Sequence, residues 1–234
     1  MANPTVLFVH GALVRDGAWW WSPTADLLRR DAGIESRALA LPSCGETDEV
    51  GGLREDAAAL RRALDELGSV VLVGHSYGGT VIAEAGPHPA VRNLLLVSSY
   101  TPPTGATQGS IMSGEPDPVT IRPDDAGRVE LDGYDAARFG ARFLQDAEDA
   151  LERGAWERVT AQDVRAFGTP TTATGWADVD STALVCTGDR STSVALQRAH
   201  ASRATRAIEV PTGHHPFLTR PDLVAAEVEA FLRR

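Results

Sequence analysis

Short apolar runs rich in Val, Leu and Ile recur at residues 5–9, 36–41, 70–73, 93–97, 183–186 and 207–210. Continuous runs of this length suit strands of a parallel sheet covered on both faces. Between them the periodicity changes. Leu53, Ala57, Leu60, Leu64 and Leu67 step by four and three, which places them on one stripe of a helix, with Arg54, Glu55, Arg61, Arg62 and Glu66 largely outside it. Further helices are predicted over 21–32, 77–85, 194–203 and 221–233, the last opening on Pro221 at a favoured first-turn position. Strands alternating with helices predict an α/β fold with a mainly parallel sheet of about six strands and helices on both faces.

The alternation breaks once. Residues 101–118 are rich in Pro, Gly, Ser and Thr, and helical periodicity returns over 135–167 before the next strand. This is too long for a plain connection. The expected organisation is a core of 1–101 and 181–234, with 102–180 inserted as a mobile lead-in and a small helical cap or lid over one end of the sheet.

Composition narrows the chemistry. The 234 residues carry 22 basic and 32 acidic side chains, a formal charge of −10, and every basic residue is Arg. Without lysine, Schiff-base chemistry, a lysine-anchored pyridoxal phosphate and a P-loop are excluded. The acidic balance disfavours nucleic acid and anionic membrane surfaces. The expected partner is a small-molecule substrate, for a chain acting as monomer or homodimer. Cys44 and Cys186 are too few for a disulfide framework and lack zinc or redox spacing. No metal-ligand spacing is present, and no metal or cofactor is expected. With no signal-like segment at residues 1–9 and no membrane-length apolar run, a cytoplasmic location is expected.

The chemistry concentrates in Gly74-His75-Ser76-Tyr77-Gly78, where a buried strand runs into a helix. In such a G-x-S-x-G elbow the serine sits on a strained turn, and glycines on either side let strand and helix approach closely. The turn lifts the Ser76 hydroxyl above the sheet, in front of the helix N-terminus. A serine nucleophile needs a base, and the base an orienting carboxylate. Asp189 lies just past the strand at 183–186, at the end where catalytic groups collect in open α/β sheets. Asp178 and Asp180 precede that strand and belong to its other end. His214 follows the last strand in Thr212-Gly213-His214-His215-Pro216. It is preferred over His215, whose backbone Pro216 restricts. His75 is expected to pack against the sheet, His88 and His200 to lie in helix-end or helix-surface contexts without partners, and His10 and Gly11 to shape a loop. Tyr77 N–H and Ala12 N–H are the candidate oxyanion donors. Trp19, Trp20, Tyr100 and Phe217 are candidate substrate contacts, Phe139 and Phe143 are read first as core, and Cys44 lies in a loop expected to edge the site.

Taken together, VHGALVRDGAWWW, VLVGHSYGG, LVCTGDRS and PTGHHPFL resemble the α/β-hydrolase superfamily across nearly the whole chain. The resemblance is to the compact branch that includes plant methyl esterases, hydroxynitrile lyases and bacterial carboxylesterases. It implies a cofactor-free Ser76–His214–Asp189 enzyme acting on a small, largely apolar ester, lactone or thioester through an acyl-serine. The lyases of that branch use a lysine just after the histidine and a threonine in the first-strand loop. His215-Pro216 and Gly11-Ala12 stand there instead. Dehalogenases and epoxide hydrolases on this fold need an aspartate where Ser76 stands. The alternative expectations are a hydrolase-like ligand-binding protein, or a cofactor-free biosynthetic enzyme that reuses the triad for decarboxylation or cyclisation.

Overall fold

The computed structural model describes residues 4–233, so residues 1–3 of the leading segment considered above lie outside the described residues. In chain order the core elements are β1 (Thr5–Val9), α1 (Gly17–Ala32), β2 (Ser36–Ala38), α2 (Leu53–Leu67), β3 (Val70–His75), α3 (Gly78–Ala85) and β4 (Val91–Val97). Then come α4 (Gln108–Ser113), β5 (Ile121–Pro123), β6 (Arg128–Leu131), α5 (Ala136–Phe143), α6 (Asp149–Trp156), β7 (Gln162–Asp163) and α7 (Arg165–Gly168). The core resumes with β8 (Asp180–Cys186), α8 (Val194–Ala201), β9 (Arg206–Val210), α9 (Pro216–Thr219) and α10 (Pro221–Leu232).

Six strands form one parallel sheet in the order β2-β1-β3-β4-β8-β9. β3 lies in the middle with every residue buried, which explains its unbroken apolar run. Alternate side chains feed two cores. Leu7, Val9, Leu72, Leu94 and Leu96 pack with α2 and α3, while Val6, Phe8, Val71, Val73 and Leu95 pack with α1 and α10. Sheet and helices thus fix the carboxyl ends of β1, β3, β4, β8 and β9, and the cavity described below lies at that edge.

Several boundaries differ from the pattern-based reading. α1 begins at Gly17 rather than Trp21, because Asp16 caps it by accepting from Trp19 N–H at 3.3 Å. Pro23 is tolerated inside this helix: it cannot donate to the Trp19 carbonyl, and the Ser22 hydroxyl does so instead at 2.8 Å. The second strand ends at Ala38, after which the chain tightens into a 3₁₀ turn over Pro42–Cys44.

The insertion is mixed rather than purely helical. Besides its helices it holds a three-stranded antiparallel sheet, β5-β6-β7. The Pro- and Gly-rich lead-in carries α4, capped by Thr107, whose hydroxyl accepts from Ser110 N–H at 3.0 Å. Strands this short have no period for a sequence pattern to reveal.

Candidate active site

Ser76 sits between β3 and α3 with φ +48°, a left-handed conformation that costs a non-glycine residue strain. Tyr77, with ordinary helical dihedrals, caps α3. Gly78 is required by a neighbour that the motif itself does not name: a Cβ there would collide with the Val9 carbonyl of β1. The loop after β1 presses in from the same side. A Cβ on Gly11 would stand 2.9 Å from His75 Nδ1 and 3.3 Å from Ser76 Cβ, so only glycine lets this loop approach the serine so closely.

Asp189, past the end of β8, and His214, past the end of β9, meet across the two loops. His214 Nδ1–H donates to Asp189 Oδ2 at 2.7 Å. The carboxylate is further held by Ser98 Oγ at 2.5 Å and Gln197 Nε2 at 3.2 Å on Oδ2, and by the N–H groups of Ser191 at 2.7 Å and Thr192 at 3.0 Å on Oδ1. Burial opposes ionisation of Asp189. The positive charge and hydrogen bond of His214, with the donors of Ser98 and Thr192, outweigh it and keep the carboxyl below the ordinary aspartate value. With Nδ1–H bound to Asp189, the tautomer of His214 that is not doubly protonated carries its lone pair on Nε2.

Three imidazoles crowd together here. His75, His214 and His215 offer ring nitrogens within 4.8 Å of one another, a grouping invisible in sequence spacing. Hydrogen bonds distinguish them. His75 Nε2 donates to the His214 carbonyl at 3.0 Å, and His215 Nδ1 donates to the Phe143 carbonyl at 3.0 Å. Burial, then the neighbouring His214 charge, pushes His75 well below the usual histidine range and His215 down to about 3. Both are neutral packing partners, and His214 alone of the three faces a carboxylate. Each spends one ring nitrogen on a protein partner.

Ser76, Gly11, Ala12, Tyr100, His214 and His215 line one cavity. Much of the rest of its lining is apolar, with Val14 from the first loop and Val119, Leu131, Phe139 and Phe143 from the insertion, and Gln108, Glu115 and Ser191 add polar groups. Among the described residues, neither Ala12 N–H nor Tyr77 N–H has a hydrogen-bond acceptor. Of the aromatics singled out in the sequence, Tyr100 faces the cavity, its hydroxyl 3.0 Å from Thr192 Oγ1. Trp19, Trp20 and Phe217 do not line it. Trp20 stacks on His215 with centroids 5.0 Å apart, Phe217 stacks on Trp21 at 3.9 Å, and Arg158 covers Trp19 at 4.2 Å. Trp20 and Phe217 pack against His215, and Trp19 meets Trp20 edge-on at 5.2 Å. Phe139 and Phe143 both pack on each other and form cavity wall, so the core reading of them is half the account. Cys44 is buried away from the cavity, its thiol pushed well up by burial and then by the Asp56 charge.

Other residues had to be read from structure. His10 is buried and doubly bonded, Nε2 to Glu46 Oε2 at 2.6 Å and Nδ1 to the Gly11 carbonyl at 2.9 Å. His200, read as partnerless, is buried and accepts from Thr101 N–H at 2.9 Å, while His88 pairs with Asp65 at 3.0 Å. Asp56 carried a signal: it lies between Leu53 and Leu60 on the apolar stripe of α2, where a carboxylate demands partners.

A parallel sheet that presents a serine on a left-handed turn, a carboxylate and a histidine at the carboxyl ends of β3, β8 and β9 defines a hydrolase-type α/β architecture. The profile of the Alpha/beta hydrolase family matches residues 6–227, and the chain belongs to that family. It is 29% identical over 96% of its length to the Alpha/beta hydrolase nvfD of Aspergillus novofumigatus, covering 94% of that protein. It is 31% identical to Methylesterase 8 of Arabidopsis thaliana over 62% of this chain and 54% of the relative. The solved structure of a pyrethroid hydrolase from Sphingobium faniae JZ-2 superimposes with a TM-score of 0.82 over 97% of this chain and 96% of that one, at 23% identity. Among the described residues no helix is long and apolar enough to cross a membrane.

Proposed function

We propose that the protein is a serine hydrolase that cleaves a small, largely apolar carboxylic ester, lactone or thioester, with Ser76 as nucleophile, His214 as base and Asp189 as its orienting carboxylate. One observation carries this reading: the buried His214–Asp189 pair at 2.7 Å opens onto the cavity that also holds Ser76 on its strained turn. His214 Nε2 takes the hydroxyl proton as Ser76 Oγ bonds to the carbonyl carbon, and the carbonyl electron pair moves onto oxygen. The N–H groups of Ala12 and Tyr77 hold that oxyanion. Its collapse breaks the bond to the leaving alkoxide or thiolate, which takes the proton from His214. Water, deprotonated by the same nitrogen, then repeats the attack and releases the acid and free Ser76.

The apolar walls favour hydrocarbon acyl or alcohol groups, and the likeness to a methylesterase supports small alcohols such as methanol as leaving groups. The test is turnover of a p-nitrophenyl ester series by wild type and Ser76→Ala, with fluorophosphonate labelling mapped to the peptide containing Ser76. Loss of turnover and label in the variant is expected. Full turnover by Ser76→Ala would remove the nucleophile assignment, and absence of turnover in wild type would leave a binding protein.

A further inference from the structure

Behind the cavity runs a buried chain of hydrogen bonds that the reaction steps above do not use. Leu13 N–H donates to Gln162 Oε1 at 2.8 Å, and Gln162 Nε2 donates to Ser43 Oγ at 2.9 Å. Ser43 gives its hydroxyl to Asp56 Oδ2 at 2.6 Å and its N–H to Oδ1 at 2.9 Å. Tyr77 closes the chain, its phenol donating to Asp56 Oδ2 at 2.7 Å. Gln162, Asp56 and Tyr77 are fully buried. Such a network is costly to leave half satisfied, so each member fixes the next.

The two ends of this chain adjoin the two N–H groups assigned to the oxyanion. Leu13 follows Ala12, and its positive φ of 61° turns the loop so that Leu13 N–H points back to Gln162. Tyr77 supplies the other N–H and is anchored through its own ring. Gln162 belongs to β7 of the insertion, and the insertion grips the same loop by backbone bonds: Thr160 N–H to the Leu13 carbonyl and Arg15 N–H to the Arg158 carbonyl, each 2.9 Å.

We propose that Gln162, Ser43 and Asp56 are positioning residues that hold the Ala12 and Tyr77 N–H groups in register. The insertion is then part of the oxyanion-binding apparatus and does more than cover the cavity. The proposal rests on the serine-hydrolase reading. Donors that stabilise charge only in the transition state affect kcat, whereas a wall that merely binds substrate affects KM.

The experiment compares Gln162→Met and Tyr77→Phe with wild type on p-nitrophenyl butyrate. It adds the affinity for an alkyl trifluoromethyl ketone, whose carbonyl carbon bonds to Ser76 Oγ and whose oxygen becomes an oxyanion. Both variants should lose about 10- to 100-fold in kcat, less than the ~10²–10³ typical of deleting a donor outright, with KM within about threefold. Ketone affinity should fall by the same factor, while inhibition by the butyrate product is unchanged. Unchanged kcat and ketone affinity, or a change confined to KM, would overturn the proposal. Should Gln162→Met fail to fold, Tyr77→Phe, which keeps its ring and its N–H, decides by the same two measurements. Ser76→Ala separates the two layers: if it is inactive while both other variants match wild type, only the positioning role falls.

Discussion

Ser98 gives its hydroxyl proton to Asp189 Oδ2 at 2.5 Å while its oxygen lies 3.2 Å from His214 Nδ1, so a fourth side chain is wedged into the histidine–carboxylate pair. It reaches this position at the end of β4 only by adopting φ +41°, the same departure from ordinary backbone that Ser76 makes at the end of β3. Adjacent strands therefore each end on a strained serine, one presenting a hydroxyl to the cavity and the other clamping the carboxylate.

Ser98→Ala should lower kcat/KM by about tenfold, because a hydrogen bond to a buried charge contributes ~1.5–3 kcal/mol and only part of it is specific to the transition state. The same change removes a donor that stabilises the charged carboxylate, so the Asp189 pKa rises. Steady-state kinetics reads the loss of rate; an unaltered rate would mean that Ser98 contributes nothing to the pair.

Asp189→Asn should reduce kcat by about 10³–10⁴-fold while leaving the fold intact. The asparagine amide can donate to Nδ1, which moves the proton to Nε2 and removes the base from Ser76. Near-wild-type turnover of a chromogenic ester would show that the carboxylate does not set the tautomer.

Stability should depend on pH through His10. Burial lowers its pKa, but the Glu46 hydrogen bond and charge overcome this and leave it above the usual 6.5. The folded state thus holds this proton more tightly than the unfolded state. The stabilisation is complete below about pH 6.5 and is lost as pH rises through the higher folded value. Melting temperatures of wild type and His10→Gln should differ most at pH 5–6 and converge in the alkaline range. A gap independent of pH would show that His10 is uncharged in the fold.

Phe143→Ala should open the cavity beside His214, since the two rings lie 5.9 Å apart. Ester preference should move toward longer or bulkier acyl groups by more than one methylene. Truncating a buried Phe costs roughly 3–5 kcal/mol, so a fall in melting temperature should accompany the shift. A chain-length series with an unmoved optimum would place the acyl group elsewhere.

The strained strand-to-helix turn at Ser76 was legible in the sequence because most of its demands are local. Strand, strained turn and helix follow one another, although the Val9 carbonyl that makes Gly78 necessary lies on another strand. Asp189 was legible for a related reason: carboxyl ends of parallel strands share one edge, so its place after β8 already aims it at the site. His214 was separable from His215 only weakly, by Pro216. The structure distinguishes them by Asp189 on one ring and the Phe143 carbonyl on the other. Trp20 and Phe217 misled the reading of substrate contacts, because large aromatics at a loop suit a pocket wall and a core equally well.

The amino-acid sequence by itself determined the parallel sheet, its helical layers and the serine on its turn, since these follow from periodicity and from sterics between near neighbours. Only tertiary structure decided that Ser98 joins Asp189 and that Gln162 reaches Leu13. Those contacts pair residues 91 and 149 positions apart. Their energy depends on distance and angle in space, and nothing in the local pattern of either segment encodes the other.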